Sequence, residues 1–180
     1  MIGRACKIVA LMAVIAMACP AVAEDDPSRW SIGARAAVSA NRTDDEVFHL
    51  YEAIVGYALP YRFQMASVWA LHTGLSAHAG LIAAGGDNGL IVAVGPTAGL
   101  DLPGGIFYVA AGVRAGLMSR HTYGKADLGG AFTFEADLGL GLNLGRRLSA
   151  GYRWQHLSNA RVYAQNPSVN LHALDLTYRF

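Results

Sequence analysis

Leu148-Ser149-Ala150-Gly151-Tyr152-Arg153-Trp154-Gln155-His156-Leu157-Ser158, a loop from Asn159 to about Ser168, and then Leu174-Asp175-Leu176-Thr177-Tyr178-Arg179-Phe180 carry a regular alternation of apolar and polar residues. In both apolar runs the even positions are aliphatic or aromatic: Leu148, Ala150, Tyr152 and Trp154, then Leu174, Leu176, Tyr178 and Phe180. The odd positions are largely small or polar. Side chains of a β-strand alternate between faces, so each run is a strand with one greasy face and one polar face. His156 and Ser158 share parity with Tyr152 and Trp154 and therefore fall on the greasy face. A histidine beside a serine is a base beside a nucleophile. On that face the pair meets a lipid before any dissolved molecule.

The same alternation runs back through the chain. It reads as strands over residues 30–40, 47–59, 63–81, 90–101, 107–117 and 132–142, with turns at Pro60, Pro103-Gly104-Gly105 and Gly145-Arg146. Loops are expected at residues 41–45, 85–89 and 118–128. The total is about eight strands, the smallest number used by outer-membrane barrels, with long and short connections in alternation. The polar face carries Gly and Ala together with Arg35, Arg114, Arg153 and Arg179 against Glu52, Glu135, Asp137 and Asp175, which reads as an interior ion network. The interior of so small a barrel holds little beyond side chains. His72 and His78 have inward parity and read as lumen hydrogen-bonders. The expected fold is all-β: an eight-stranded antiparallel transmembrane β-barrel, closed so that every backbone group is paired. A soluble lipocalin-like barrel is the alternative, but it would have to pack the wide apolar face inside. Trp30, Tyr57, Trp69, Tyr152, Trp154 and Tyr178 read as interfacial girdle residues.

The N-terminus has Arg4 and Lys7, an apolar run from Ile8 to about Ala18, and Ala21-Val22-Ala23 before Glu24. This is the pattern of a cleaved secretory signal peptide over 1–23, which leaves 24–180 as the barrel. A retained membrane helix fits less well, because the run is short of the roughly 20 residues a span needs. Lipoprotein processing at Cys19 is disfavoured by Ala16. Both cysteines, Cys6 and Cys19, lie in this leader, so the mature chain has no disulfide framework and no thiolate chemistry. The formal net charge of +1 gives no electrostatic case for a nucleic-acid partner. No His, Asp and Glu spacing reads as a metal site, and no cofactor is implied. Gly139-Leu140-Gly141-Leu142-Asn143-Leu144-Gly145 is glycine-rich, but without a following helix it is not a nucleotide loop.

With short turns on the periplasmic side, the seventh strand runs outward and sets His156 and Ser158 on the outer wall near the outer leaflet. His156-Leu157-Ser158-Asn159-Ala160, then Asn166-Pro167, then a strand ending Tyr178-Arg179-Phe180, resembles the lipid A 3-O-deacylase (PagL-type) family. The motif match covers 152–180, and the barrel and leader extend a looser match over the chain. The resemblance implies an integral outer-membrane esterase that hydrolyses an ester-linked acyl chain of lipid A, with lipopolysaccharide as the substrate source. It implies Ser158 as nucleophile, His156 as general base, and Asn166 and Asn159 as oxyanion and substrate contacts. The family's acid falls at Asn170 here, and glycines of the pattern fall at Arg161 and Ser168. Asn170 shares the outward parity of His156, so its carbonyl is placed to accept the imidazole N–H, as in Cys-His-Asn hydrolases. The alternative function is a weakly active or non-catalytic barrel of the same family. Arg161, Arg120, His121 and Lys125 are either contacts to lipid A phosphates or solvated loop charges. A homodimer is left open.

Overall fold

The computed structural model describes residues 29–65 and 69–180, with the backbone path alone for 61–65. The expected leader, 1–23, lies outside the described residues. The strands are β1 (Trp30–Ser39), β2 (His49–Met65), β3 (Trp69–Ala84), β4 (Asp87–Asp101), β5 (Phe107–Met118), β6 (Thr122–Tyr123), β7 (Ala126–Asp127), β8 (Phe132–Leu144), β9 (Leu148–Ser158) and β10 (Val169–Arg179). Eight of them close an antiparallel barrel in the order β1-β10-β9-β8-β5-β4-β3-β2, while β6 and β7 pair apart as a small hairpin in the connection from β5 to β8. Strict alternation produces this result. Outward positions such as Val94, Leu138, Leu140 and Leu174 are exposed, whereas Glu52, Arg114, Glu135, Gln155 and Asp175 are buried inside. So broad an apolar outer band has lipid as its solvent.

Two expected connections differ from the reading. Pro60 does not make a turn: β2 continues to Met65, and its pairing with β3 merely shifts between Ala58 and Arg62. Proline has no N–H to give the ladder, and an irregularity absorbs that loss without reversing the chain. β3 begins at Trp69, and 66–68 lie outside the described residues. The expected 85–89 loop contracts to Gly85-Gly86, with φ of 58° and 87°, and Asp87 already pairs with Ala84. A two-residue turn with both φ positive matches the twist of its strands, and glycine adopts it without steric cost. The long polar connection expected at 118–128 contains the β6–β7 hairpin.

The interior has three layers. At the end holding loops 40–48, 119–131 and 159–168, the inward positions are large and apolar, contrary to the small, charged lining expected there. Leu50, Ile82, Ile91, Leu157 and Leu171 are buried beneath Phe48 and Tyr123, whose rings meet edge to face at 5.6 Å. Tyr123 donates its hydroxyl to the Arg120 carbonyl (2.9 Å), and burial pushes its pKa up to about 12. The middle layer is the ion network. Arg114 meets Asp137 at 2.6 Å, Arg153 meets Asp175 at 3.0 Å, and Arg35 lies between Glu52, Asp137 and Asp175 at 3.5–3.7 Å. His78 completes it, with Nδ1 3.2 Å from Glu52 and 3.4 Å from Glu135. Arg179, expected in the network, instead donates to Asn143 Oδ1 near the opposite mouth (3.2 and 3.3 Å). Glycine makes room for these groups, since a Cβ at Gly112 would run into the Arg114 guanidinium and one at Gly151 into Asp175. Below the network the lining shrinks to Gly56, Gly74, Gly99 and Ala110, which leaves a cavity of about 210 Å³.

Candidate active site

The register of β9 on β10 sets His156 opposite Asn170, and both are half-buried on the lipid-facing wall. His156 Nδ1 lies 2.8 Å from Asn170 Oδ1. A carbonyl only accepts, so Nδ1 carries the proton and Nε2 keeps the lone pair. Ser158 lies two residues further along the same face, roughly 7 Å by strand rise. Its carbonyl accepts from Thr133 Oγ1 (3.3 Å), and among the described residues its hydroxyl has no hydrogen-bond partner. The pair is therefore on one face and unclosed, which is usual before a substrate is bound.

The loop after Ser158 is tightly held. Val162 N donates to Asn159 O (3.0 Å), closing a turn whose central residues Ala160 and Arg161 have φ of 52° and 66°. Asn159 is 2 % exposed. Its Nδ2 donates to the carbonyls of Leu128 (2.9 Å) and Gln165 (2.6 Å), and its Oδ1 accepts from Arg161 N (3.0 Å). All its side-chain polar capacity goes to backbone, so it clamps the loop to the 119–131 segment. Asn166 Oδ1 accepts from Asn159 N (2.9 Å), which fixes the amide with Nδ2 as its open end. Among the described residues, Asn166 Nδ2 and Ala160 N are donors without an acceptor.

Asp127 is engaged elsewhere. It sits 2.8 Å from His121 Nδ1 and accepts from Gly129 N at 2.9 Å. His121, and then that N–H, hold its carboxyl below the usual range. His172, which shares the outward parity of Asn170, turns instead to the Tyr152 hydroxyl at 2.6 Å and packs edge-on to Trp154 at 5.0 Å. Tyr152 and Trp154 thus belong to the wall below the site as much as to a girdle. Sequence reading does not single out the Ala160 amide or the Leu128 and Gln165 carbonyls. Backbone groups carry no residue signature, and the left-handed turn that holds the Ala160 N–H is built from Ala160 and Arg161, residue types that rarely adopt it.

Inside the barrel, Glu52, His78 and Glu135 bring potential ligand atoms within 4.8 Å of one another. Arg35 and Arg114 already stand 3.7 Å from these two carboxylates and fill the electrostatic role of a cation. The candidate active site lies on the opposite face of the wall from this cluster.

A model of the family "Lipid A 3-O-deacylase (PagL)" matches residues 52–179. A lipid A deacylase PagL from Bordetella bronchiseptica is 35% identical over 74 residues, an alignment spanning 41% of this chain and only 42% of that protein's length. The crystal structure of the outer membrane enzyme PagL superposes with a TM-score of 0.66 at 21% identity, covering 81% of this chain and 97% of that one. A de novo designed transmembrane β-barrel shares the architecture, with a TM-score of 0.52 at 11% identity over 88% of this chain and all (100%) of the design. These likenesses of structure concern the fold, and the family match spans most of the chain: the protein belongs to the lipid A 3-O-deacylase (PagL) family of the outer membrane.

Proposed function

We propose that the protein is an esterase that removes an ester-linked acyl chain from lipid A in the outer leaflet, by a Ser158–His156 mechanism. The observation that carries this reading is the 2.8 Å contact between His156 and Asn170 on the lipid-facing wall, beside Ser158. Lipid A lies alongside the barrel and presents its ester to Ser158 Oγ. His156 Nε2 takes the hydroxyl proton as Oγ attacks the carbonyl carbon, and the imidazolium returns it to the departing sugar oxygen. Asn166 Nδ2 and Ala160 N are the donors available to the developing oxyanion. Water then cleaves the acyl-enzyme with His156 again as base, releasing the fatty acid. Asn170 holds the imidazole in the productive tautomer but brings no charge to the imidazolium. Asn159 acts one step away, by clamping the turn that presents Ala160 N. No metal or cofactor takes part. The segment 1–23 serves as the leader that sends the chain toward the outer membrane.

One observation favours a barrel without turnover: among the described contacts of His156 there is no carboxylate. Lipid A mass spectrometry decides between the readings, using cells that express the wild type, Ser158→Ala and Asn170→Glu. Loss of one hydroxyacyl chain with the wild type and not with Ser158→Ala supports the esterase. A silent wild type and an active Asn170→Glu identify a decayed member. Silence from all three folded barrels removes the lipid A assignment.

A further inference from the structure

The turn Asn159–Val162 begins immediately after Ser158, and its two central residues both have positive φ. Turns of this kind strongly favour Gly, Asn or Asp at their centre. Here they hold Ala160 and Arg161, pinned by the Arg161 N–H to Asn159 Oδ1 bond of 3.0 Å. Strained backbone of this sort persists where the surrounding structure enforces it and clusters at ligand sites. The side chain it presents is exposed and cationic. The other cations named from the loops at this end are engaged: Arg120 with Asp87, His121 with Asp127 at 2.8 Å, Lys125 with Asp45 at 3.6 Å, and Arg42 with the Asp45 carbonyl at 2.9 Å. Arg161 has no side-chain partner among the described residues, and it is the one charged residue between Asn159 and Ser168.

We infer that Arg161 is a substrate-binding residue that takes a phosphate of the lipid headgroup while the adjacent ester meets Ser158. The guanidinium is suited to this, because its planar fork matches a phosphate with two parallel N–H donors. The inference rests on the esterase reading for its purpose, but its test requires no turnover.

The Ser158→Ala protein in detergent micelles is titrated with lipid A and with the same lipid stripped of its phosphates. Arg161→Ala in that background is expected to weaken binding of the phosphorylated lipid about fivefold, the upper range for an exposed ion pair, and to leave the stripped lipid unchanged. Arg161→Lys retains part of the preference, and added salt shrinks it. Arg161→Gly relaxes the turn, so it is expected to lose the same affinity while melting no earlier than its parent. Equal binding of both lipids with Arg161 intact overturns the inference, as does an equal loss for both lipids on its removal. Displacement of lipid by millimolar inorganic phosphate, and not by chloride at the same ionic strength, also overturns it, by showing a site for the free anion. Deacylation by the wild type is scored separately by lipid A mass, so failure of the esterase reading and failure of the Arg161 inference remain distinguishable.

Discussion

The lumen and the outer wall of this barrel handle polar groups in opposite ways. Inside, Arg35, Arg114, Arg153 and His78 are packed against Glu52, Glu135, Asp137 and Asp175 with almost no exposure. On the wall, the candidate site consists of an imidazole, an amide and a hydroxyl, all half-exposed, with no carboxylate among the described contacts of the imidazole. A charge inside finds a partner on a neighbouring strand within 4 Å, whereas a charge on the lipid face finds hydrocarbon. The difference separates two tasks. The lumen charges fix strand register, because each pair fits in one alignment of the sheet. The wall groups carry fewer contacts: among the described residues the Ser158 hydroxyl and Asn166 Nδ2 have no hydrogen-bond partner.

That contrast is open to attack from both sides. The largest expected effect is on the wall: Ser158→Ala lowers lipid A deacylation by about 10³-fold or more, with unchanged heat-modifiable mobility of the folded barrel. In the lumen, Arg114→Ala takes from Asp137 its nearest cation, at 2.6 Å, and leaves Glu135 facing His78 alone. It is expected to cost about 3–5 kcal/mol in urea unfolding, while the activity of the surviving folded protein holds. Loss of activity in the folded fraction would show that the two regions are coupled. Asn170→Ala has a smaller effect, about 10- to 100-fold on the rate, the scale of a lost outer-shell orienting contact. The smallest effect lies in the β6–β7 hairpin. The Asp127 carboxyl is held below its unfolded value by His121 and the Gly129 N–H. Its contribution is therefore full at neutral pH and fades as the pH falls through the unfolded value and then the folded one. Amide protection factors in the hairpin, which remove the intrinsic fall of exchange with pH, should drop modestly over that acid window in the wild type and stay flat in Asp127→Asn.

The barrel was legible because a period of two is difficult to disguise. His156, Ser158 and Asn170 were placed on the lipid side by parity alone, and the structure brings His156 and Asn170 together as the register requires. Connections were less legible. Pro60 carries a turn residue's signature but sits in a strand, where a missing N–H only disturbs pairing. Gly85 to Gly89 looked like a loop because Asp87 and Asn88 favour turns, yet a two-residue reversal uses only the two glycines. The apolar outer layer escaped notice because Tyr123 lies in a polar stretch and its partner Phe48 lies in a different loop. The clamp at Asn159 was invisible for a related reason, since its partners at Leu128 and Gln165 are main-chain carbonyls.

The buried Phe48–Tyr123 layer has one more consequence. It closes the lumen at the end where the candidate site's loop lies, beyond the ion network and the cavity of about 210 Å³ beneath it. Water and ions that enter from below meet a dry stopper of Leu50, Ile82, Leu157 and Leu171 before they reach the other mouth. In electrical terms the barrel is expected to be an insulator, which conductance across a planar bilayer holding many copies of it checks.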